Sequence, residues 1–98
     1  VKVHVTDFAK VLLRKERAWW RKNRDEKTLF TEEFIEAKAR LRDPPKLEVY
    51  GYFEGLPVRR LLMKSVHCHA YYIILEDEDQ VEVVSFWGTK RGKPAEMG

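Results

Sequence analysis

The sequence predicts an α+β domain of order β-α-α-β-β-β, with an N-terminal strand and a helical hairpin packed on an antiparallel sheet. Three observations carry this. Val1, Val3 and Val5 alternate with Lys2, His4 and Thr6, the period-two pattern of a half-buried strand. Two stretches of helical periodicity follow, the second stopped by Asp43-Pro44-Pro45. From Val58 onward, apolar blocks of strand length are separated by polar turns. Helices grouped before strands indicate segregated layers rather than alternating βαβ units.

Each element has its own local reason. Thr6 or Asp7 can cap the first helix, because a side-chain oxygen there accepts an unpaired first-turn N–H. That helix is expected to run to about Lys22. Phe8, Val11, Leu12 and Trp19 form its inner face, with Leu13 and Trp20 on the flank and Arg14, Arg17 and Arg21 towards water. Trp19 and Trp20 stand about 100° apart and cannot both face inward. Trp19 continues the apolar stripe; Trp20 serves either flank packing or an interface. After the polar break Asn23 to Lys27, Phe30, Phe34, Ala37 and Leu41 define one stripe of a second helix. Glu32, Glu33 and Glu36 crowd its start and Lys38, Arg40 and Arg42 its end, as the macrodipole favours. Pro45 to Gly55 reads mostly as loop, with room for a short strand. Strands follow at Val58–Lys64, His67–Leu75 and Gln80–Trp87, the last two joined through the acidic turn Glu76-Asp77-Glu78-Asp79.

Ninety-eight residues, 44% of them hydrophobic, suffice for one compact core, so residues 1–98 are read as a single domain. No apolar run approaches membrane-spanning length, no signal-peptide pattern opens the chain, and the initial Val suggests an initiator methionine removed. Cys68 is the only cysteine, which rules out an internal disulfide and fits a reducing cytoplasm. The net charge of +3 hides a segregation. Val1 to Arg24 carries eight Lys/Arg against Asp7 and Glu16, and the tail from Val83 carries Lys90, Arg91 and Lys93 against Glu96. Basic segments at both ends suit an anionic partner, although taken by itself the charge pattern favours a solvated helix face.

Few constellations carry chemistry. His67-Cys68-His69 would place both histidines on one strand face and Cys68 on the other. No CxxC or HxxxH supplies further ligands, so ordinary strand residues are favoured, with Cys68 or Ala70 inward, and no metal or cofactor is expected. Arg59 and Arg60 leave their strand on opposite faces, as do Tyr71 and Tyr72. Basic groups beside aromatic ones suit phosphate contact with base stacking, and suit an acidic helix as well. No Ser-His-Asp order, glycine-rich phosphate loop or framed carboxylate pair is present.

The order β-α-α-β-β-β, the segment PVRRLLM, the tyrosines of HAYYIILEDEDQVEVV and the ending SFWGTKRGKP together resemble the RelE/ParE superfamily of bacterial toxin–antitoxin modules. The resemblance spans the whole chain through loose motifs. It implies the toxin of a type II module, cytoplasmic and assembled as a hetero-oligomer with an acidic ParD-like antitoxin. RelE-like members cleave mRNA on the ribosome with basic side chains and a late Tyr or His. ParE-like members inhibit DNA gyrase without that set. In many relatives a histidine follows the aromatic that ends the last strand; here that slot is Gly88, and no His or Tyr follows Tyr72. The resemblance therefore implies gyrase inhibition, with Arg14, Arg17, Trp20, Arg21, Arg60, Trp87, Lys90, Arg91 and Lys93 as contacts for target or antitoxin. The alternatives are a ribosome-dependent endonuclease drawing on Arg59, Arg60, Tyr72 and Arg91, with Lys90, Tyr71 or His69 beside them, and an inert member acting through antitoxin binding.

Overall fold

The computed structural model describes residues 1–90 and 94–98. Strand β1 (Lys2–Val5) leads into helices α1 (Asp7–Asn23) and α2 (Leu29–Leu41), followed by β2 (Val49–Phe53), β3 (Leu56–Met63), β4 (Cys68–Leu75) and β5 (Gln80–Gly88). The five strands form one sheet in the order β1-β5-β4-β3-β2. The α+β architecture agrees with the sequence reading, with two corrections. The sheet is mixed: β2 to β5 are antiparallel neighbours, whereas β1 lies parallel to β5, Val3 opposite Val81 and Val5 opposite Val83. The two-helix excursion between β1 and β2 is long enough to carry the chain to the opposite edge, which frees β1 to align with the last strand. The second correction is β2 itself, an edge strand where mostly loop was expected. Glu54 and Gly55 close its hairpin with φ of 52° and 79°, the paired positive φ of a two-residue turn whose twist matches the strands.

Local chemistry sets the helix ends as anticipated. The Ala9 N–H donates to Thr6 Oγ1 at 3.2 Å, making Thr6 the N-cap of α1. Helix α2 ends at Leu41, ahead of the two prolines. Its stripe is buried as expected: Phe30, Phe34, Ala37 and Leu41 all face the sheet-side core. Phe30 and Phe34 meet Phe86 of β5 edge-to-face, at centroid distances of 6.2 and 5.2 Å. Each such pair contributes about 0.5–1.5 kcal/mol beyond its buried area, so this trio pins α2 to β5.

Helix α1 is turned by about one residue from the expected face. Ala9 and Trp20 are buried, Phe8, Leu12 and Leu13 are half-buried, and Val11 is 40% exposed. The tryptophans exchange roles: Trp20 is 7% exposed inside the core cluster, and Trp19 is 46% exposed. The helix offers two overlapping apolar faces about 100° apart, and tertiary packing selects the one through Ala9 and Trp20.

The sheet buries apolar side chains on both faces. The inner cluster joins both helices to Leu61, Met63, Cys68, Ala70, Tyr72, Val81, Val83 and Phe86. An outer cluster gathers Val58, Tyr71, Ile73, Val84 and Trp87, with Tyr50, Phe53, Ala95 and Met97 against it. Cys68 and Ala70 are both inward, as the period of two requires. A bulge in β5 sets Ser85 opposite Tyr71 and Val83 opposite Tyr72, leaving Val84 as the extra residue. The shift lets Ser85 Oγ donate to the Glu96 carbonyl, while the Ala95 N–H donates to the Tyr50 hydroxyl at 3.1 Å. Residues 95–97 are thereby held across the outer face. No helix among the described residues is long and apolar enough to cross a membrane.

Candidate functional site

Among the described residues, the outer face of the sheet brings Arg60, His69 and Tyr71 of the expected site together as a compact group. Arg60 projects outward from β3, Tyr71 and His69 from β4, and Tyr50 from β2. The Arg60 guanidinium lies 4.9 Å from the Tyr50 ring centre, a cation–π distance, and hydrogen-bonds the Tyr71 hydroxyl. The Tyr50 and Tyr71 rings meet edge-to-face at 4.9 Å, and the His69 ring stands 6.0 Å from that of Tyr71. Strand register explains the grouping: Arg60 pairs with Tyr71, and Leu62 with His69. The next strand sets Trp87 opposite His69.

The electrostatics are those of a partly desolvated cationic cluster. Burial, with a smaller contribution from Arg60, holds the His69 imidazole below its ordinary value of 6.5, so the ring is neutral at neutral pH. Burial raises the Tyr71 phenol above its ordinary value, and the Arg60 hydrogen bond partly offsets this. Arg60 remains solvent-exposed. The group can bind an anion at Arg60, donate from a tyrosine hydroxyl and accept a proton at His69.

Arg59 and Tyr72 belong to a different structure. They pair across β3 and β4, where Arg59 Nε donates to the Leu47 carbonyl at 2.8 Å and the Tyr72 hydroxyl donates to the Pro45 carbonyl at 2.5 Å. Burial raises the Tyr72 phenol, with the Arg59 and Arg40 charges acting in the opposite direction. Both side chains therefore tie the loop after α2 to the sheet. The expected ribonuclease set does not assemble as one group: Arg59 and Tyr72 hold this loop, Arg60 lies on the other face, and Arg91 falls outside the described residues.

The expected contact residues divide in the same way. Arg14, Arg17 and Arg21 are exposed along α1 and Lys90 is exposed beyond β5; among the described residues none of them forms a salt bridge. Trp20 and Trp87 are corrections, since both are buried, Trp87 to 3% exposure in the outer cluster. Arg91 and Lys93 lie outside the described residues. His67 also departs from expectation. It occupies a left-handed turn at φ 51°, exposed and ahead of β4, so it does not share a strand face with His69. Among the described residues, no three His, Cys, Asp or Glu side chains gather as a metal set.

Two participants were missed from sequence. Tyr50 was placed in a loop, although its neighbours Val49, Tyr52 and Phe53 before a Glu-Gly turn are a strand signal. Arg24, just beyond α1, folds over both indoles, 5.2 Å from the Trp19 ring centre and 5.8 Å from that of Trp20. Its spacing of four and five residues from the two tryptophans was the available signal. Comparison of the chain with known protein families, with curated proteins and with solved structures returns no match.

Proposed function

We propose that this chain is a growth-inhibiting toxin of a type II toxin–antitoxin module, acting on DNA gyrase through surface cations and neutralised by an acidic, ParD-like antitoxin. The observation that carries the reading is the division of the basic residues. Arg14, Arg17, Arg21 and Lys90 face solvent without ion-pair partners among the described residues, as contact charges must. Arg59 and Tyr72, which a nuclease would recruit, are engaged with backbone carbonyls. The family resemblance supplies the target and the partner. A supercoiling assay with purified gyrase tests the reading. Inhibition is expected, and Lys90→Glu is expected to weaken it while leaving the fold intact. Gyrase activity unaffected by stoichiometric wild-type protein would exclude this target.

One observation favours a second reading, ribosome-dependent cleavage of mRNA. The outer-face group of Arg60, His69 and Tyr71 supplies the elements of phosphodiester cleavage that the tail lacks. A neutral His69 can take the proton of the attacking 2′-hydroxyl while Arg60 stabilises charge on the pentacoordinate phosphorus; the P–O5′ bond then breaks and the leaving 5′-oxygen takes a proton from the His69 imidazolium or from solvent. In that case Arg60→Ala is expected to slow cleavage by roughly two to three orders of magnitude, as for other groups that stabilise a developing oxyanion. Codon-dependent cleavage in the ribosomal A site, with gyrase untouched, would select this reading over the first.

A further inference from the structure

An open groove lies away from the outer-face group, lined in part by Lys15, Glu16, Trp19 and Trp20 of α1. It runs between the tip of the helical hairpin and the end of the sheet, with a volume of about 740 Å³. Its floor is apolar, made by Trp20, Leu29 and Val66, and Trp19 forms one wall. Lys15, Arg24 and Lys90 contribute positive charge, and none of the three forms a salt bridge among the described residues. We propose that this groove docks an acidic segment of a partner protein, which inserts a bulky apolar side chain beside Trp19 and sets carboxylates against Lys15, Arg24 and Lys90.

The chemistry selects this occupant. A tryptophan left 46% exposed beside an apolar floor leaves hydrophobic area uncovered, and Trp and Arg are the residues that dominate interface energetics. Trp19 is also oriented before any partner arrives. Its ring stands edge-to-face on Trp20 at 5.9 Å, and the Arg24 guanidinium lies over it. Such preorganisation lowers the ordering cost of association. Lys15, part of the basic surplus of α1, lines the groove itself, so its charge draws an acidic segment towards it.

A nucleic acid fits less well. Glu26 also lines the groove and would repel a continuous phosphate backbone. Arg24 lies over one face of the Trp19 indole and removes it from base stacking, whereas an apolar side chain needs only the part of the ring that stays exposed. A peptide avoids both conflicts, because it places carboxylates only where the cations stand.

The inference rests on the reading above that an acidic protein is the partner, and it locates that partner's anchor. Selection of a random dodecapeptide library on the intact protein tests it, followed by affinity measurement of the enriched peptides by fluorescence anisotropy. The expected peptides converge on a large apolar residue flanked by Asp or Glu. Trp19→Ala and the pair Lys15→Glu with Lys90→Glu are each expected to weaken them by about tenfold or more. All these positions are exposed, so circular dichroism should report an unchanged fold. Peptides without acidic character, or peptides indifferent to both variants, would overturn the proposal. So would Trp19-dependent binding of oligothymidylate in place of peptide. The selection reads binding alone: a failed gyrase assay leaves the groove standing, and a failed selection leaves the gyrase result standing.

Discussion

His69 shows how one side chain reports its surroundings. Its imidazole is half-buried beside Tyr71, and the Arg60 charge disfavours protonation further. The folded protein therefore binds its proton less readily than the unfolded chain, whose histidine titrates near 6.5. Between the folded value and 6.5 the unfolded state carries more protons, so stability rises with pH across that window. The contribution is complete above 6.5 and is lost as pH falls through the lower folded value. Urea unfolding at pH 7.5 and at pH 5.5 should show wild-type protein losing stability on acidification. His69→Gln should flatten that difference. A variant retaining the full wild-type pH dependence would place its origin in other groups. Arg60 governs the same site from the neighbouring strand, which is why neither residue can be interpreted from its identity alone. The sequence placed Arg59 and Arg60 on opposite faces, and Tyr71 and Tyr72 likewise. Which of each pair met the other was settled by the register of β3 against β4.

At the level of elements, α1 separates propensity from packing. Its start follows from Thr6, a cap legible from the sequence. Its buried face does not follow, because Phe8, Val11, Leu12, Leu13, Trp19 and Trp20 offer more apolar surface than one face can bury. The consequence is measurable. Trp20→Ala removes a large side chain from the inner core and should cost about 3–5 kcal/mol, the range for a buried Phe or Trp truncation. For a domain of this size that is much of the total stability. Trp19→Ala should lower the unfolding free energy by only about 1 kcal/mol, the scale of its edge-to-face and cation–π contacts. Equal losses from the two substitutions would mean that the assigned helix face is wrong. Strand β2 teaches a related lesson. Its hairpin turn needs positive φ at a glutamate as well as at Gly55, and Glu is not the residue that announces such a turn.

For the whole molecule, the decisive property is where charge lies relative to the fold. Helix α1 carries Lys10, Arg14, Lys15, Arg17, Arg21 and Lys22 against Asp7 and Glu16. With its other side on the sheet, this surplus faces solvent and sets the long-range field that an anionic partner meets first. Association with an acidic protein partner should therefore slow as salt rises, because exposed charges are screened beyond roughly 10 Å at 0.1 M. Reversing Arg14, Arg17 and Arg21 to Glu should lower the on-rate at low salt and remove most of its salt dependence, as read by stopped-flow fluorescence. An on-rate unchanged at low salt would reduce those arginines to a solvated face.

Local chemistry in the sequence determined much of this architecture without reference to distant residues. The apolar alternation of β1, the apolar blocks of β4 and β5, the cap at Thr6, the stripe from Phe30 to Leu41 and the proline stop after it are short-range features, decided by sterics and periodicity within a few residues. Only the tertiary structure decided the rest: that β1 runs parallel to β5, that Trp20 is buried while Trp19 is exposed, that Arg59 braces a loop while Arg60 joins Tyr71, and that residues 95–97 pack against the outer cluster. Each of these depends on which elements meet and in what register, and contacts between residues far apart in the chain leave no periodic trace in its order.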